Sequence, residues 1–354
     1  MYLIATDEAG YGPKLGPLVV AGTVWHLPGI QSNSAGVEDS FDRLTTPVTI
    51  DGQSFKIDDS KRVYKAGGGL LGLQQTVGAA LQHVGVRSNG LFEVLNHLCP
   101  DDLNSILATP WLATPELYAK GREALDLQGQ NTKRDLNLSA NASGVGNNTA
   151  STSLFRIEED QAEAREVNLA THWFSESLNL VSVGARVVTA RDFNLLCRQG
   201  YNKSDLLSMT TLGLVRKLLE TCRVSEPTSV YCDRHGGRRY YAGVLQDQLA
   251  EEFVRVMSET RSQSVYEISH AKRPVRVHFT VKGDRFAPVA YSSLIAKYLR
   301  ERLMRQLNHF FIERACDRLE PTAGYPVDAE RFLREVGRIR QDEKISDEDL
   351  IRER

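Results

Sequence analysis

Three apolar, β-prone stretches, far apart in a chain of 354 residues, each run into an acid. Residues 2–6 lead into Asp7-Glu8. Ser229-Val230-Tyr231-Cys232 leads into Asp233. Val275 to Thr280 continues through Val281-Lys282-Gly283 into Asp284. A glycine stands within three residues of each acid: Gly10, Gly236 and Gly283. If the three stretches are neighbours in one sheet, three or four carboxylates converge at one edge. Converged carboxylates repel one another unless cations neutralise them. Hard oxygen donors of this kind suit Mg²⁺ or Mn²⁺. Two such ions about 3.5–4 Å apart can clamp the attacking water and the leaving oxygen of a phosphodiester. A single Asp at a strand end is ordinarily a turn or cap residue, so the weight lies in the set.

The rest of the pattern builds a sheet around those strands. Leu18 to Trp25 is a second strand, joined to the first by the Gly/Pro-rich run from Gly10 to Pro17. Val181 to Val188 is another. Apolar residues at helical spacing predict helices over 205–221 and 291–311, and a third around 245–257. Gly67-Gly68-Gly69 precedes a helix-like segment from about Leu70 to Val84. It lacks the Gly-Lys-Ser/Thr ending of a phosphate loop and reads as a turn. Asp328 is placed to cap a helix bearing Phe332, Leu333, Val336 and Ile339, and Ser346 to cap a short polar one. Strands followed by alternating helices and strands give a mixed α/β sheet.

Apolar residues make up 41% of the chain, enough for a sizeable core without staples. No apolar run approaches the ~20 residues of a membrane helix, and Met1 to Asp7 has no basic leader. Five scattered cysteines form no Cys-x-x-Cys pair, which argues against zinc and for reduced thiols in a cytoplasmic setting. The net charge of −2 argues mildly against a nucleic-acid binder unless the basic groups are concentrated locally. Arg234-His235-Gly236-Gly237-Arg238-Arg239 is one such concentration. Between about 121 and 166 the chain turns poor in hydrophobes, with an Asn/Ser/Gly-rich run over 137–149. Such a run cannot offset its ordering entropy by burial. It is expected to be a disordered insertion within one domain, 1–311, followed by a C-terminal helical extension, 312–354.

Asp7-Glu8-Ala9-Gly10-Tyr11-Gly12-Pro13, followed by Gly16-Pro17-Leu18-Val19-Val20-Ala21, resembles the opening of the ribonuclease HII family, D-E-x-G-R-G-P-x-x-G-P-V-V-x-A. Asp59-Ser60-Lys61 resembles the family's D-S-K. Tyr231-Cys232-Asp233 stands where the family has the strand ending in its third acid. Lys282-Gly283-Asp284, then Ser292-Ser293-Leu294-Ile295-Ala296-Lys297 and Arg300, resembles K-G-D followed by A-A-S-I-x-A-K-x-x-R-D. Gly324-Tyr325-Pro326 is similar to K-G-Y-P. The five blocks keep their order over almost the whole chain.

The resemblance implies a ribonuclease H-like mixed sheet flanked by helices. It implies hydrolysis of the RNA strand of RNA/DNA hybrids, or at RNA–DNA junctions, with two divalent ions, Mg²⁺ or Mn²⁺. The products would carry 5′-phosphate and 3′-hydroxyl. Asp7, Glu8, Asp233 and Asp284 would be the catalytic, metal-holding quartet. Gly10, Tyr11 and Gly12 would read the 2′-hydroxyl, Ser60, Lys61, Ser293 and Lys297 would lie along backbone phosphate, and Tyr325 would stack on the sugar. The expected partner is a hybrid or DNA with embedded ribonucleotides, bound by a monomer. The sequence departs from the family at Tyr11, where arginine is usual, and at Arg234–Arg239, which replaces Gly-Asn. It also lacks one residue between Asp284 and Lys297, and it carries the insertion. Two alternatives are a nuclease of this fold with another substrate and a catalytically weak nucleic-acid-binding protein. Retention of all four acids disfavours the latter.

Overall fold

The computed structural model describes residues 1–30, 35–66, 69–88, 90–132 and 152–353. Nine strands are found among them: β1 Tyr2–Ala9, β2 Leu18–His26, β3 Val48–Ile50, β4 Gln53–Phe55, β5 Asn179–Val188, β6 Thr228–Asp233, β7 Arg255–Glu259, β8 Gln263–His270 and β9 Arg273–Thr280. Seven form one sheet in the order β5-β2-β1-β6-β9-β8-β7, while β3 and β4 form a separate hairpin. β1 pairs antiparallel with β2 and parallel with β6, and β6 pairs parallel with β9. The three acid-bearing strands are therefore consecutive and point the same way, so their C-terminal ends share one edge.

Both faces of the sheet are covered, which is why β1 and β2 read as nearly continuous apolar runs. Successive side chains alternate between the faces. Leu3, Ala5, Val19 and Ala21 pack into the core beneath the long helix Ala287–Arg314. Tyr2, Ile4, Leu18 and Val20 join the opposite core, with Leu206, Leu214 and Leu218 of the helix Lys203–Glu220. Asp7 follows Leu3 and Ala5 in the alternation and faces the long helix.

The sheet and the two main helices stand where the sequence puts them. The helix Lys203–Glu220 begins two residues before the expected start because Asn202 caps it: Asn202 accepts from the Ser204 and Asp205 amides, and Asp205 completes a capping box. The helix expected over 245–257 is a short one, Ala242–Gln248, and 255–259 is instead edge strand β7. That strand pairs with β8 across a tight turn at 260–262, with a register shift between Val256 and Ser258. Asp328 is not a cap but lies inside the helix Pro326–Glu335, where it accepts from the Thr322 hydroxyl at 2.6 Å and the Ala323 amide at 2.9 Å. Ser346 does cap Asp347–Leu350. Helices Pro115–Thr132 and Thr152–Trp173 occupy the two ends of the stretch 121–166. The remainder, 133–151, with the Asn/Ser/Gly-rich run, lies outside the described residues.

The C-terminal helices fold back onto the loop between β1 and β2. Gly324 O accepts from the Lys14 and Leu15 amides at 2.8 and 3.2 Å, and the Arg352 amide donates to Lys14 O at 2.9 Å. The Asn194 side chain donates to Glu348 O and Ile351 O, 2.7 Å each, and fastens the last turn to the body. No described helix is long and apolar enough to cross a membrane.

Candidate active site

The loop after β1 is forced into its path by packing. Gly10 has φ +88, and a Cβ there would lie 2.6 Å from both Arg300 Nε and Pro17 O. Glycine alone tolerates that conformation and that approach. The turn after β9 is held differently. Lys282 adopts the left-handed region at φ +58, and Gly283 passes so close to β6 that a Cβ would sit 3.1 Å from the Asp233 Cα. This approach lets the Gly283 amide donate to Asp233 Oδ1 at 2.6 Å and puts Asp284 beside Asp233.

The four expected acids form a chain of neighbours. Asp7 is 9% exposed. Burial pushes its carboxyl well above the usual range, and Glu8 and Asp233 push it further, partly relieved by hydrogen bonds from the Ser293 hydroxyl and the Glu8 amide. Glu8 is raised to about 7 by burial and by Asp233, with relief from its hydrogen bond to Asp7. Asp233 is raised by burial, opposed by the Gly283 and Arg234 amides, with Asp284 adding to the rise. The groups acting on Asp7 and Glu8 include no cationic side chain. The strand ends thus concentrate negative charge, offset at Asp233 by the neighbouring Arg234 charge. Among the described residues, no three His, Cys, Asp and Glu side chains are already arranged as a cage for a metal ion. The donor set itself is all carboxylate oxygen, the chemistry that Mg²⁺ and Mn²⁺ take.

The other expected residues fall in two groups around these acids. Ser293, on the long helix, bonds to Asp7, and its Oγ lies 3.3 Å from Ser60 Oγ, so the Asp59-Ser60-Lys61 segment is tied to the carboxylates. Asp59 caps that segment by accepting from the Lys61 amide at 2.8 Å, and the Lys61 side chain is exposed. Lys297 bonds Glu301 at 3.1 Å and stands 4.6 Å over the Tyr64 ring. On the other side, the Tyr11 hydroxyl lies against Gly236, and burial followed by Glu8 pushes its proton affinity up. Gly12 faces open space. Tyr325 is 55% exposed, at the head of the helix Pro326–Glu335.

The arginines after Asp233 are largely spent on structure. Arg234 donates to Arg261 O at 2.7 Å, Arg238 pairs with Asp205, and Arg239 donates to Glu259 O at 3.1 Å. His235 packs on the opposite face, its Nδ1 2.9 Å from Ser208 Oγ, and burial pushes it down to about 3. It is a core residue. Sequence analysis gave Arg300 no role beyond its place in the motif; it is 5% exposed, lies against Gly10 and donates to Ala323 O at 3.0 Å. It thereby joins the Gly10 loop to the segment carrying Tyr325. A signal was available: Ala296, Arg300 and Met304 share i,i+4 spacing on the buried face.

The architecture is an α/β fold, a mixed seven-stranded sheet flanked by helices with a C-terminal helical region, and a row of carboxylates marks one sheet edge. Solved structures similar to the chain include ribonucleases of types HII and HIII. Bst-RNase HIII in complex with Mn²⁺ shares 15% identity at a TM-score of 0.38, over 99% of this chain and 66% of that one. Ribonuclease H2 from Pyrococcus horikoshii OT3 shares 13% at 0.38, over 99% and 92%. RNase HII in the PCNA complex from Archaeoglobus fulgidus shares 15% at 0.39, over 100% and 95%. No family model and no curated protein sequence matches the chain.

Proposed function

We propose that the protein is a metal-dependent endoribonuclease that hydrolyses the RNA strand of RNA/DNA hybrids, including strands joined to DNA. The observation that carries this reading is the row Asp7–Glu8–Asp233–Asp284 at the ends of three adjacent parallel strands, with no cationic side chain among the groups acting on Asp7 and Glu8. A protein gains nothing in stability from such a row, so its use is to receive cations.

Asp7, Glu8, Asp233 and Asp284 would hold two divalent ions. When bound, the ions would lower the pKa of a water and offset charge on the departing 3′-oxygen. The chain's own contribution is placement. The Ser293 hydroxyl orients Asp7, and the Gly283 amide orients Asp233. Gly10, Tyr11 and Gly12 line the side where a 2′-hydroxyl would be read, with Tyr325 open for stacking on a sugar. Ser60, Lys61 and Lys297 lie on the side for backbone phosphate. No acid in the row needs to form a covalent bond to phosphorus.

Incubation of wild type and the Asp7→Asn and Asp284→Asn variants with a labelled hybrid in Mg²⁺ or Mn²⁺ tests the reading. Wild type should give fragments with 5′-phosphate and 3′-hydroxyl, and each variant should be slower by about 10³-fold or more. Equal cleavage by all three would remove the acids from the chemistry. A second reading, the same chemistry on another substrate, follows from Tyr11, whose ring packs on Gly236 where the family carries arginine. Comparing a duplex with one embedded ribonucleotide against a plain hybrid separates the two.

A further inference from the structure

The loop that leaves Asp233 is tied to the β7–β8 turn by its arginines. Arg234 donates to Arg261 O at 2.7 Å and to Thr260 O at 3.4 Å, and Arg239 donates to Glu259 O at 3.1 Å. Consecutive carbonyls of one turn thus bring two guanidinium groups side by side. Arg239 is held from a second side as well, its guanidinium carbon 5.4 Å from the centroid of the exposed Tyr240 ring. The turn lies on the sheet edge that carries the acids: the Val281 amide donates to Ser262 O at 2.8 Å, and the Arg234 amide to Thr280 O at 3.0 Å. The Arg261 side chain is exposed on it. Arginines that reach turn carbonyls usually fix the turn and do no more. Here a neutral donor such as glutamine would fix it equally well. A fixed cation beside the acids also opposes divalent-ion binding, and the Arg234 charge does act on Asp233. The charges therefore have a use outside the fold.

A carbonyl orients a guanidinium without neutralising it. Of the loop's three arginines, Arg238 meets a carboxylate, Asp205, while Arg234 and Arg239 meet main-chain oxygen. Each guanidinium has more N–H donors than the turn takes up, so terminal N–H groups remain on both for an anion. Two cations held in place beforehand suit phosphate, which arginine binds through paired N–H groups. The geometry points to a phosphate-binding ridge: Arg234, Arg239 and Arg261 hold backbone phosphates of the substrate duplex to one side of the cut, whatever the base sequence. Phosphates stay on the outside of a duplex, so base pairing does not hide them. The turn stands two to three strands beyond β6 in the sheet order. At the usual strand spacing that is on the order of 10–14 Å, or about three to four base pairs from the acids. The loop occupies the place of Gly-Asn in the family that the sequence resembles, so the ridge is a feature of this chain. The proposal rests on the nuclease reading and extends it from the scissile bond to the flanking duplex.

Binding and cleavage test it separately. In EDTA, a fluorescent hybrid is titrated by anisotropy over a range of salt, with wild type, Arg239→Gln, Arg239→Lys and Arg261→Glu. Glutamine keeps an N–H donor for the Glu259 carbonyl and loses the charge, whereas lysine keeps the charge. Arg239→Gln should bind about fivefold more weakly, with a salt slope smaller by about 1, and Arg239→Lys should keep the wild-type slope. Arg261→Glu changes an exposed side chain, so it should melt as wild type does and still bind more weakly. In Mg²⁺, with a hybrid cut at one fixed position, Arg239→Gln should raise KM when the duplex runs about six base pairs past the cut on one side, and match wild type when that side is trimmed to about two. Wild-type affinity and slope in both Arg239→Gln and Arg261→Glu would overturn the ridge. A slope lost equally in Arg239→Lys and Arg239→Gln would overturn it too, since the turn and not the charge would then matter. A KM effect that ignores flank length would overturn its placement. Wild type that binds the hybrid and never cuts it would overturn the nuclease reading alone.

Discussion

At the scale of single residues, the acids carry opposite consequences for stability and for function. A carboxyl whose folded pKa lies above its unfolded value favours the folded state at low pH, and that advantage is lost as pH rises through the folded value. For Glu8 the window runs from about 4.5 up to about 7. In EDTA, wild type should therefore melt at a higher temperature at pH 5 than at pH 8, and Glu8→Gln should remove part of that dependence. Asp7→Asn should go further. It should stabilise the metal-free protein at neutral pH, on the order of 1–3 kcal/mol, while abolishing cleavage. Urea unfolding of the variant at pH 7.5 checks the sign. A destabilised variant would mean that Asp7 is compensated in a way the row of acids does not reveal.

At the scale of elements, the parts written in strong periodicity were readable. The apolar run of β1, the short strands before Asp233 and Asp284 and the stripe of the long helix each bury a face, and burial is what the sequence pattern records. The β7–β8 hairpin was not readable, because edge strand β7 exposes Val256 and Met257 and leaves only a weak alternation that competes with a helical one. Arg300 escaped because a buried arginine is rarely expected on an apolar stripe. Nor did the sequence indicate that the C-terminal extension clasps the Gly10–Leu15 loop. That contact is made by backbone groups, Gly324 O and the Lys14 and Leu15 amides, which side-chain patterns do not encode. Gly324 is the pivot of the clasp: it has φ +83, and a Cβ would lie 2.4 Å from Leu15 O. Gly324→Val should cost about 2 kcal/mol or more and speed hydrogen exchange at Lys14 and Leu15. Turnover should suffer mainly through a raised KM if, as proposed, the loop bears on substrate and not on the acids. Loss of kcat alone would place the clasp's effect elsewhere.

At the scale of the molecule, a sheet covered on both faces gives three parallel strands a fixed common edge, and short turns bring four acids to it. The charge is −2 overall, but the acids at this edge have no cationic side chain acting on Asp7 or Glu8. A divalent ion that binds only the folded state should raise its stability by mass action, about 2.7 kcal/mol at a hundredfold excess over Kd. Mn²⁺ should therefore raise the melting temperature of wild type and have little effect on Asp7→Asn. The most direct test of the central claim is a count of bound ions. Titration of the protein with Mn²⁺, read by the loss of the free-ion electron paramagnetic resonance signal, should give two sites in wild type, both weakened or lost in Asp7→Asn and Asp233→Asn. A wild-type titration identical to that of the variants would contradict the account.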